Sequence, residues 1–274
     1  MSLIIQNASV NIKSTNFISQ PVYRVVEPAQ SLNLNVNNPS SYPGSGTTWY
    51  DVSGKGNNAT LGGSPKPSYN STGTPATASM SWPVYSFNVS TSTTGTRATI
   101  GSNYLGYDAT IQLWINTTKK GRSNDYLSLM PLLNSVNTAQ ANKDSWSFGI
   151  NSNGLLSYSS DSGSAGSTGK TISVNIPVNT GTWTNVAVTR TLSTGLVTLY
   201  INGLLKVTGT LGPNKPLNAP YPTVLGNSNY DAGGGAGLGY IFQGNMDGIL
   251  TYGVVLTADE IWQNYSTTRK TYGI

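Results

Sequence analysis

The stretch that decides the fold runs from Thr182 to Gly209 and reads TWTNVAVTRTLSTGLVTLYINGLLKVTG. Two runs rich in β-branched residues, Thr182–Thr191 and Leu196–Ile201, are separated by the turn-type residues LSTG. Asn202-Gly203 follows at once, and this dipeptide suits the two positive-φ positions of a type I′ turn. The next run, LLKVTG, therefore returns as a further antiparallel strand, and the stretch predicts consecutive β-hairpins.

The same kind of pattern recurs along the rest of the chain. Asn153-Gly154 joins the runs Trp146–Ile150 and Leu155–Ser159 in a second predicted hairpin. Strand-like runs also cover Ala109–Thr118 and Tyr240–Leu256. Many short strands with turns between them predict an all-β protein, an antiparallel β-sandwich.

One short C-terminal helix interrupts the β pattern. Thr257 and Glu260 have the spacing of a capping box, in which each side chain bonds to the backbone amide of the other residue. Ile261 and Tyr265, four residues apart, share one face of this helix, and Trp262 adjoins it. The sequence predicts a short helix packed on the edge of the sandwich.

Composition argues against several classes of partner. Charged residues make up 9% of the chain, against about 25% in an ordinary globular protein. The net charge is +5, but the basic residues are scattered, and the densest run is Lys119, Lys120 and Arg122. Nucleic-acid binding needs a basic patch with interleaved aromatic residues, so we do not expect it. The N-terminal residues do not resemble a signal peptide, and the longest apolar stretch, Gly248–Leu256, is about half a membrane span.

The residues of common catalytic sites are missing or dispersed. His and Cys are absent, and only ten residues are acidic. No two acids alternate along a predicted strand, whereas a glycosidase needs two carboxylates about 5 to 10 Å apart. The segment GSAGSTGKT, which ends at Thr171, lacks the first glycine and the following helix of a phosphate-binding loop. The glycine-rich DAGGGAGLGY lacks the dinucleotide spacing. We therefore predict no enzyme activity and no cofactor.

The segment WYDVSGKGNNATL, which begins at Trp49, poses the question of a metal site. Asp51, Ser53 and Asn57 have the alternate spacing of a calcium loop, but Lys55 stands where a third oxygen ligand belongs. Asp and Asn also cap turns with their own backbone, so the pattern favours a structural loop over a metal site. The weak metal candidates are Asp51, Asn57 and Asp247. For Asp247, in the Met-Asp-Gly turn before the last predicted strand, a role as a buried turn residue is favoured over that of an oxygen ligand.

The order of the segments resembles the laminin-G-like branch of the concanavalin A-like lectin/glucanase superfamily. The pieces that carry the resemblance are SLNLNV, TWYDVSGKGNNATL, DATIQLWINT, WSFGI with NGLLSY, WTNVAVTR with GLVTLYINGLLK, and FQGNMDGILTYGVVLTADEIWQNY. They span roughly residues 30 to 267, and the pattern departs from the family at PVYSFNVSTSTTGTRATIG. The resemblance implies the sandwich fold but leaves the function open, because this fold carries lectins, adhesion modules, hydrolases and virion components.

Three classes of function follow. The first is a non-enzymatic structural or attachment protein of a virion, assembled in the host cell, because SYPGSGTTWYDVSGKGNNATL resembles segments in virion proteins of tailed phages and large DNA viruses. The second is a carbohydrate-binding module that stacks aromatic rings on sugars. Its candidate ligand-binding residues are Tyr104, Tyr107, Tyr221 and Tyr230. The third is a diverged glycoside hydrolase, which the acid content disfavours.

The chain divides into an N-terminal arm (1–28), the laminin-G-like sandwich (29–267) and a C-terminal tail (268–274). The arm is rich in apolar residues that a complete sandwich would leave uncovered. We expect it to dock on a neighbouring virion subunit by β-strand addition, and the alternative is an extra strand on its own sandwich. Its predicted contact residues are Leu3, Ile4, Ile5, Val10, Ile12, Phe17 and Tyr23.

Overall fold

A computed structural model describes residues 25–27, 29–71, 78–82, 95–101, 105, 108–122, 129–135, 146–160, 170–211, 222–227 and 241–274. The strands in chain order are β1 Gln30–Leu34, β2 Thr48–Trp49, β3 Ala59–Gly62, β4 Ser68–Asn70, β5 Ser79–Trp82, β6 Arg97–Ile100, β7 Ala109–Asn116, β8 Met130–Ser135, β9 Trp146–Ile150, β10 Leu155–Ser160, β11 Lys170–Pro177, β12 Thr184–Thr191, β13 Leu196–Ile201, β14 Leu204–Thr210, β15 Thr223–Leu225 and β16 Gly244–Tyr252. Helix α1 spans Ala258–Thr268, and a 3-10 helix spans Arg269–Tyr272.

The strands form two antiparallel sheets, which confirms the predicted β-sandwich. Sheet A has the order β14-β13-β12-β7-β16-β5-β4, and β1 also pairs with β16. Sheet B has the order β11-β10-β9-β8-β15-β6-β3-β2. Among the described strands, β14 and β11 are therefore the edges of their sheets on the same side of the sandwich, where they contact each other.

Local turn chemistry produces the hairpins that the sequence predicts. Asn202 and Gly203 both have positive φ, 51° and 75°, so the β13–β14 turn is of the expected type I′. The β9–β10 hairpin also forms, but only its glycine, Gly154, has positive φ (78°). There the Oδ1 of Asn151 accepts hydrogen bonds from the amides of Asn153 and Leu155, so an asparagine side chain organises a longer turn.

The core lies between the sheets because alternate residues of each strand face inward. In β12, Val186 and Val188 face the main core, whereas Ala187 between them belongs to a second cluster on the outer face of sheet A. Trp146 and Phe148 of β9 contribute to the main core from sheet B. The strict alternation in the sequence thus places one apolar set between the sheets and a smaller set beneath the helix.

Helix α1 covers the outer face of sheet A. The predicted capping box is present: the Thr257 hydroxyl accepts from the Glu260 amide at 3.3 Å, and the Glu260 carboxylate accepts from the Thr257 amide at 2.8 Å. Ile261 and Tyr265 are buried against the sheet, as predicted. Trp262 adjoins this face, as predicted: its ring centroid is 5.2 Å from that of Tyr265, and 45% of its surface is exposed. Within the described residues no helix is long and apolar enough to cross a membrane.

Both ends of the described chain pack on the outer face of sheet A. The C-terminal residues, called a tail from the sequence, form the 3-10 helix, and the ring of Tyr272 is buried and stacked on Trp114 with a centroid distance of 4.2 Å. At the other end, the amide of Val26 donates to the Oδ1 of Asn264 in α1 at 2.7 Å. Val26 is buried there, next to Ile261. The arm residues Leu3 to Tyr23 lie outside the described residues.

Candidate functional site

The loop around Asp51 is organised by the Asp51 carboxylate. Oδ1 accepts hydrogen bonds from the amides of Asn33 and Ser53, at 2.8 and 2.9 Å. Oδ2 accepts from the Ser53 hydroxyl at 2.8 Å and from the Asn57 amide at 2.9 Å. The side-chain amide of Asn57 donates to the carbonyl of Ser31 at 2.8 Å. The structure brings Asp51 and Asn57 together, as the sequence suggested, but through hydrogen bonds that fasten the loop to β1.

Asp247 occupies a different place, at the centre of a buried junction. It is fully buried in β16, and its Oδ1 accepts from the amide of Val36 at 2.8 Å. Its Oδ2 accepts from the side-chain amide of Asn37 at 2.6 Å and from the hydroxyl of Tyr272 at 2.8 Å. Three segments that are far apart in sequence therefore meet on one carboxylate: the end of β1, β16 and the C-terminal 3-10 helix.

Burial controls the ionisation of this junction. Removal from water raises the pKa of Asp247 to about 6, and the hydrogen bonds from Val36, Tyr272, Gly248 and Asn37 partly oppose that rise. Burial and the nearby carboxylate raise the pKa of Tyr272 well above its usual value, so its hydroxyl remains a donor. Near neutral pH the pair is a phenol donating to a buried carboxylate, which is a structural arrangement.

Three further carboxylates, those of Asp108, Asp259 and Glu260, hold a connection or lie at the start of helix α1. The Oδ1 of Asp108 accepts from the amide of Leu192 at 2.7 Å and so fixes the connection after β12. Glu260 belongs to the helix cap, and Asp259 is exposed beside it. Within the described residues, no group of three or more His, Cys, Asp or Glu side chains could hold a metal ion.

The outer face of sheet B is lined with small polar side chains. The register places Ser147, Ser157 and Ser159 on this face, because their neighbours Phe148, Leu156 and Tyr158 face the core. Ser157 and Ser159 share hydrogen bonds with the hydroxyls of Ser173 and Thr171 on β11, at 2.8 and 2.9 Å. All three serines of β9 and β10 on this face are buried. Among the described residues, this central part of the face presents hydroxyls rather than carboxylates, and it is closed to solvent.

An exposed apolar surface lies at the open edges of the two sheets. The exposed fractions are 53% for Leu204, 54% for Leu205, 48% for Ile176 and 45% for Trp262. Leu204 and Leu205 begin β14, Ile176 lies near the end of β11, and Trp262 is in α1. We call these four residues the apolar edge. Exposed apolar side chains that cluster in this way mark an interaction surface more often than scattered ones do.

Several candidates from the sequence lie outside the described residues. They are the arm residues, the four tyrosines Tyr104, Tyr107, Tyr221 and Tyr230, the glycine-rich segment 231–240 and most of the GSAGSTGKT segment. The end of that last segment is described: Lys170 and Thr171 begin strand β11, so a strand rather than a helix follows it. A phosphate-binding loop needs a helix at that point.

The apolar edge was not predicted from the sequence, although one signal was present. Leu204 and Leu205 are adjacent in a strand that directly follows a two-residue turn. Since neighbouring side chains in a strand point to opposite faces, one of two adjacent leucines at a sheet edge lacks a core to enter. The pairing of Asp247 with Tyr272 left no comparable signal in the sequence.

Solved structures of similar fold include a domain of an arabinanase and the binding domains of two toxins. Domain 4 of AbnA, an extracellular arabinanase from Geobacillus stearothermophilus solved with arabinotriose, has a TM-score of 0.56 and 16% identity, covering 86% of this chain and 98% of that domain. The binding domain of Paraclostridial Mosquitocidal Protein 1 has a TM-score of 0.58 and 15% identity, covering 87% of this chain. The binding domain of botulinum neurotoxin DC, solved with rat synaptotagmin II, has a TM-score of 0.53 and 15% identity, covering 88% of this chain. This chain spans about half of these two toxin chains, 52% in each case.

A family profile matches a large part of the chain. A search of curated proteins gave no match. The profile described as concanavalin A-like lectin/glucanases superfamily matches residues 90–262, well over half of the chain, although the resemblance in the sequence extended further toward the N-terminus. The two antiparallel sheets and the single short C-terminal helix agree with that fold. The chain belongs to the concanavalin A-like lectin/glucanases superfamily.

Proposed function

We propose that the chain is a non-enzymatic structural or attachment component of a virus particle and that it acts through protein–protein contacts. The observation that carries the proposal is the apolar edge, where four large apolar side chains stay about half exposed. Exposed apolar surface of this kind costs solubility unless a partner covers it. Its residues lie on two sheet edges and a helix, and clustered exposed apolar residues of this kind mark protein interaction sites.

The roles of the described carboxylates support the non-enzymatic part of the proposal. Asp51, Asp108, Asp247 and Glu260 each accept hydrogen bonds that hold a loop, a junction or a helix end. A glycosidase on this kind of sandwich needs an acid and a second carboxylate that face the substrate together. The described outer face of sheet B presents serine hydroxyls at its centre instead, and they are buried.

The virion setting is supported by the sequence. The segment SYPGSGTTWYDVSGKGNNATL, which resembles segments of virion proteins, folds into the loop that Asp51 fastens to β1. Only 9% of the residues are charged and cysteine is absent, which is compatible with assembly inside a host cell.

A carbohydrate-binding module is the second candidate. It is favoured by the shared fold with a complete arabinanase domain, whose structure was solved with arabinotriose. In this chain Trp262 is an exposed aromatic ring of the kind that stacks on sugars. The closed outer face of sheet B argues for the protein-contact function instead.

Particle composition and glycan binding separate the two candidates. Particles purified from cells that produce the chain are analysed by quantitative mass spectrometry and by cryo-electron microscopy. We expect a fixed copy number per particle and density for the sandwich at symmetry-related positions. The purified chain is also screened on a glycan array, with Trp262→Ser as the matched variant. Absence from particles together with glycan binding that Trp262→Ser abolishes would replace our proposal with the carbohydrate-binding one.

A further inference from the structure

The two leucines of the apolar edge lie on opposite faces of strand β14, at its start. Leu204 pairs with Ile201, which faces the main core, and Leu205 pairs with Tyr200, which lies in the cluster beneath helix α1. The leucines therefore point to opposite faces of sheet A at its outermost strand. Trp262 lies on the Leu205 side, because a Cβ added to Gly203 would be 2.8 Å from Cε3 of the Trp262 ring.

Ile176 extends the surface onto sheet B. It lies in the irregular part of β11, where the register with β10 shifts between Ser173 and Pro177, and 48% of its surface is exposed. The connection 178–183 leads directly into β12, whose Val186 pairs with Ile201 next to the β13–β14 turn. The end of β11 and the start of β14 therefore lie at the same end of the sandwich. Ile176 and Leu204 are thus at the same end of two contacting strands, β11 and β14.

The size of the apolar edge suits a protein interface. A large side chain buries about 200 Å² when fully covered, so four that are half exposed offer on the order of 400 Å². A standard interface buries about 800 Å² on each partner, and a little over half of that area is apolar. The apolar edge therefore provides roughly the apolar part of one standard interface.

The edge strand itself is poorly suited to backbone pairing with another strand. Its register with β13 shifts between Leu199 and Tyr200, which leaves Lys206 as an extra residue in β14. A bulge and a lysine are the features by which natural proteins block an edge against a further strand. Contact through this surface must therefore depend on side chains.

Charges flank the apolar edge with opposite signs. Lys206 follows Leu205 on the β14 side, and Asp259 lies one helical turn before Trp262 on the α1 side. No ion pair joins these two residues within the part of the chain that the structure describes. In an isologous contact around a two-fold axis, each flank meets the opposite flank of the other subunit. The surface is thus self-complementary in apolar content and in charge.

From this arrangement we infer that the apolar edge is the interface of a two-fold homodimer, with Lys206 of each subunit facing Asp259 of the other. The inference rests on the proposed function, because it names the partner that covers the apolar edge. It requires only that the partner is a second copy of this chain.

The test uses the full chain in sedimentation velocity across a concentration series. We expect a species of twice 28.9 kDa, with a dissociation constant in the micromolar range or tighter. The double variant Leu205→Ser, Trp262→Ser should be monomeric and keep the wild-type far-UV circular dichroism spectrum, because both side chains are half exposed. Tyr50→Ser is the matched control, since Tyr50 is 45% exposed on a different loop, and it should remain dimeric.

Charge-reversal variants test whether Lys206 of one subunit contacts Asp259 of the other. Lys206→Glu and Asp259→Lys should each weaken dimerisation at least about tenfold, because each places like charges across the axis. The double reversal should restore it, which happens only if the two residues meet across the interface. A wild-type chain that stays monomeric up to about 100 µM overturns the inference. So does a dimer that both sets of variants leave intact. A monomer that is still found in particles refutes the dimer alone, whereas absence from particles refutes the proposed function.

Discussion

The buried carboxylate of Asp247 should make the protein more stable in mild acid than at neutral pH. In the folded state its pKa is about 6, whereas an unfolded aspartate titrates near 3.9. Between these two values the folded state binds more protons than the unfolded state, so the free energy of unfolding decreases as pH rises. The contribution is fully present below about pH 4 and is lost as pH rises through 6.

The magnitude follows from the size of the pKa shift. The rise from 3.8 to about 6 is about 2 units, and each unit corresponds to 1.36 kcal/mol, so the full effect is about 3 kcal/mol. Asp247 is fully buried, and solvent screening does not reduce this figure. For a domain of this size the change corresponds to roughly 6 to 12 °C in melting temperature.

Urea denaturation at a series of pH values from 4 to 7.5 measures the slope of the free energy of unfolding against pH. Tryptophan fluorescence is a suitable signal, because Trp114 stacks on the Tyr272 ring that donates to Asp247. Asp247→Asn should flatten the slope, since an amide does not titrate. Glu27→Gln is the control, and it should leave this pH dependence unchanged because the Glu27 side chain is exposed. A wild-type stability that stays level or increases between pH 4 and 6 would refute the reasoning.

Three further predictions test local features. Thr257→Ala removes the helix cap and should lower the free energy of unfolding by about 1 kcal/mol in urea titration; a change under a few tenths would show that the cap is redundant. Gly203→Ala should destabilise more than Gly54→Ala, because both have positive φ but only the first would press a Cβ on the ring of Trp262; equal losses would contradict the crowding. Millimolar calcium should leave the melting temperature unchanged relative to a chelator, because donors already occupy both oxygens of Asp51; a rise of several degrees would reveal a bound ion.

The parts of the fold that the sequence predicted are those determined by short-range chemistry. The positive-φ pair Asn202-Gly203 and the capping residues Thr257 and Glu260 act over at most a few positions, so their spacing alone indicates the structure. The β-branched run Thr182–Thr191 likewise predicted strand β12. These signals need no knowledge of which strands become neighbours.

The rest depends on long-range neighbours that no local pattern encodes. Tyr272 and Asp247 meet across 25 positions, and Val36 meets Asp247 across 211. The sequence singled out Asp247 as a turn residue or an oxygen ligand, but its hydrogen-bond donors come from the two ends of the described chain. The exposure of Leu204 and Leu205 depends on β14 being the last strand of sheet A, which only the strand order reveals.

The position of β16 has a consequence for how the protein is made. This strand lies between β7 on one side and β1 and β5 on the other, although it follows every other described strand in the sequence and is synthesised after them. During synthesis β7, with seven of its eight residues destined for burial, has no partner on that side. An unpaired apolar strand in a nascent chain invites pairing with other nascent chains. Production should therefore depend on chaperone capacity and slow growth, and a translation product that stops before β16 should aggregate because sheet A has a gap at its centre.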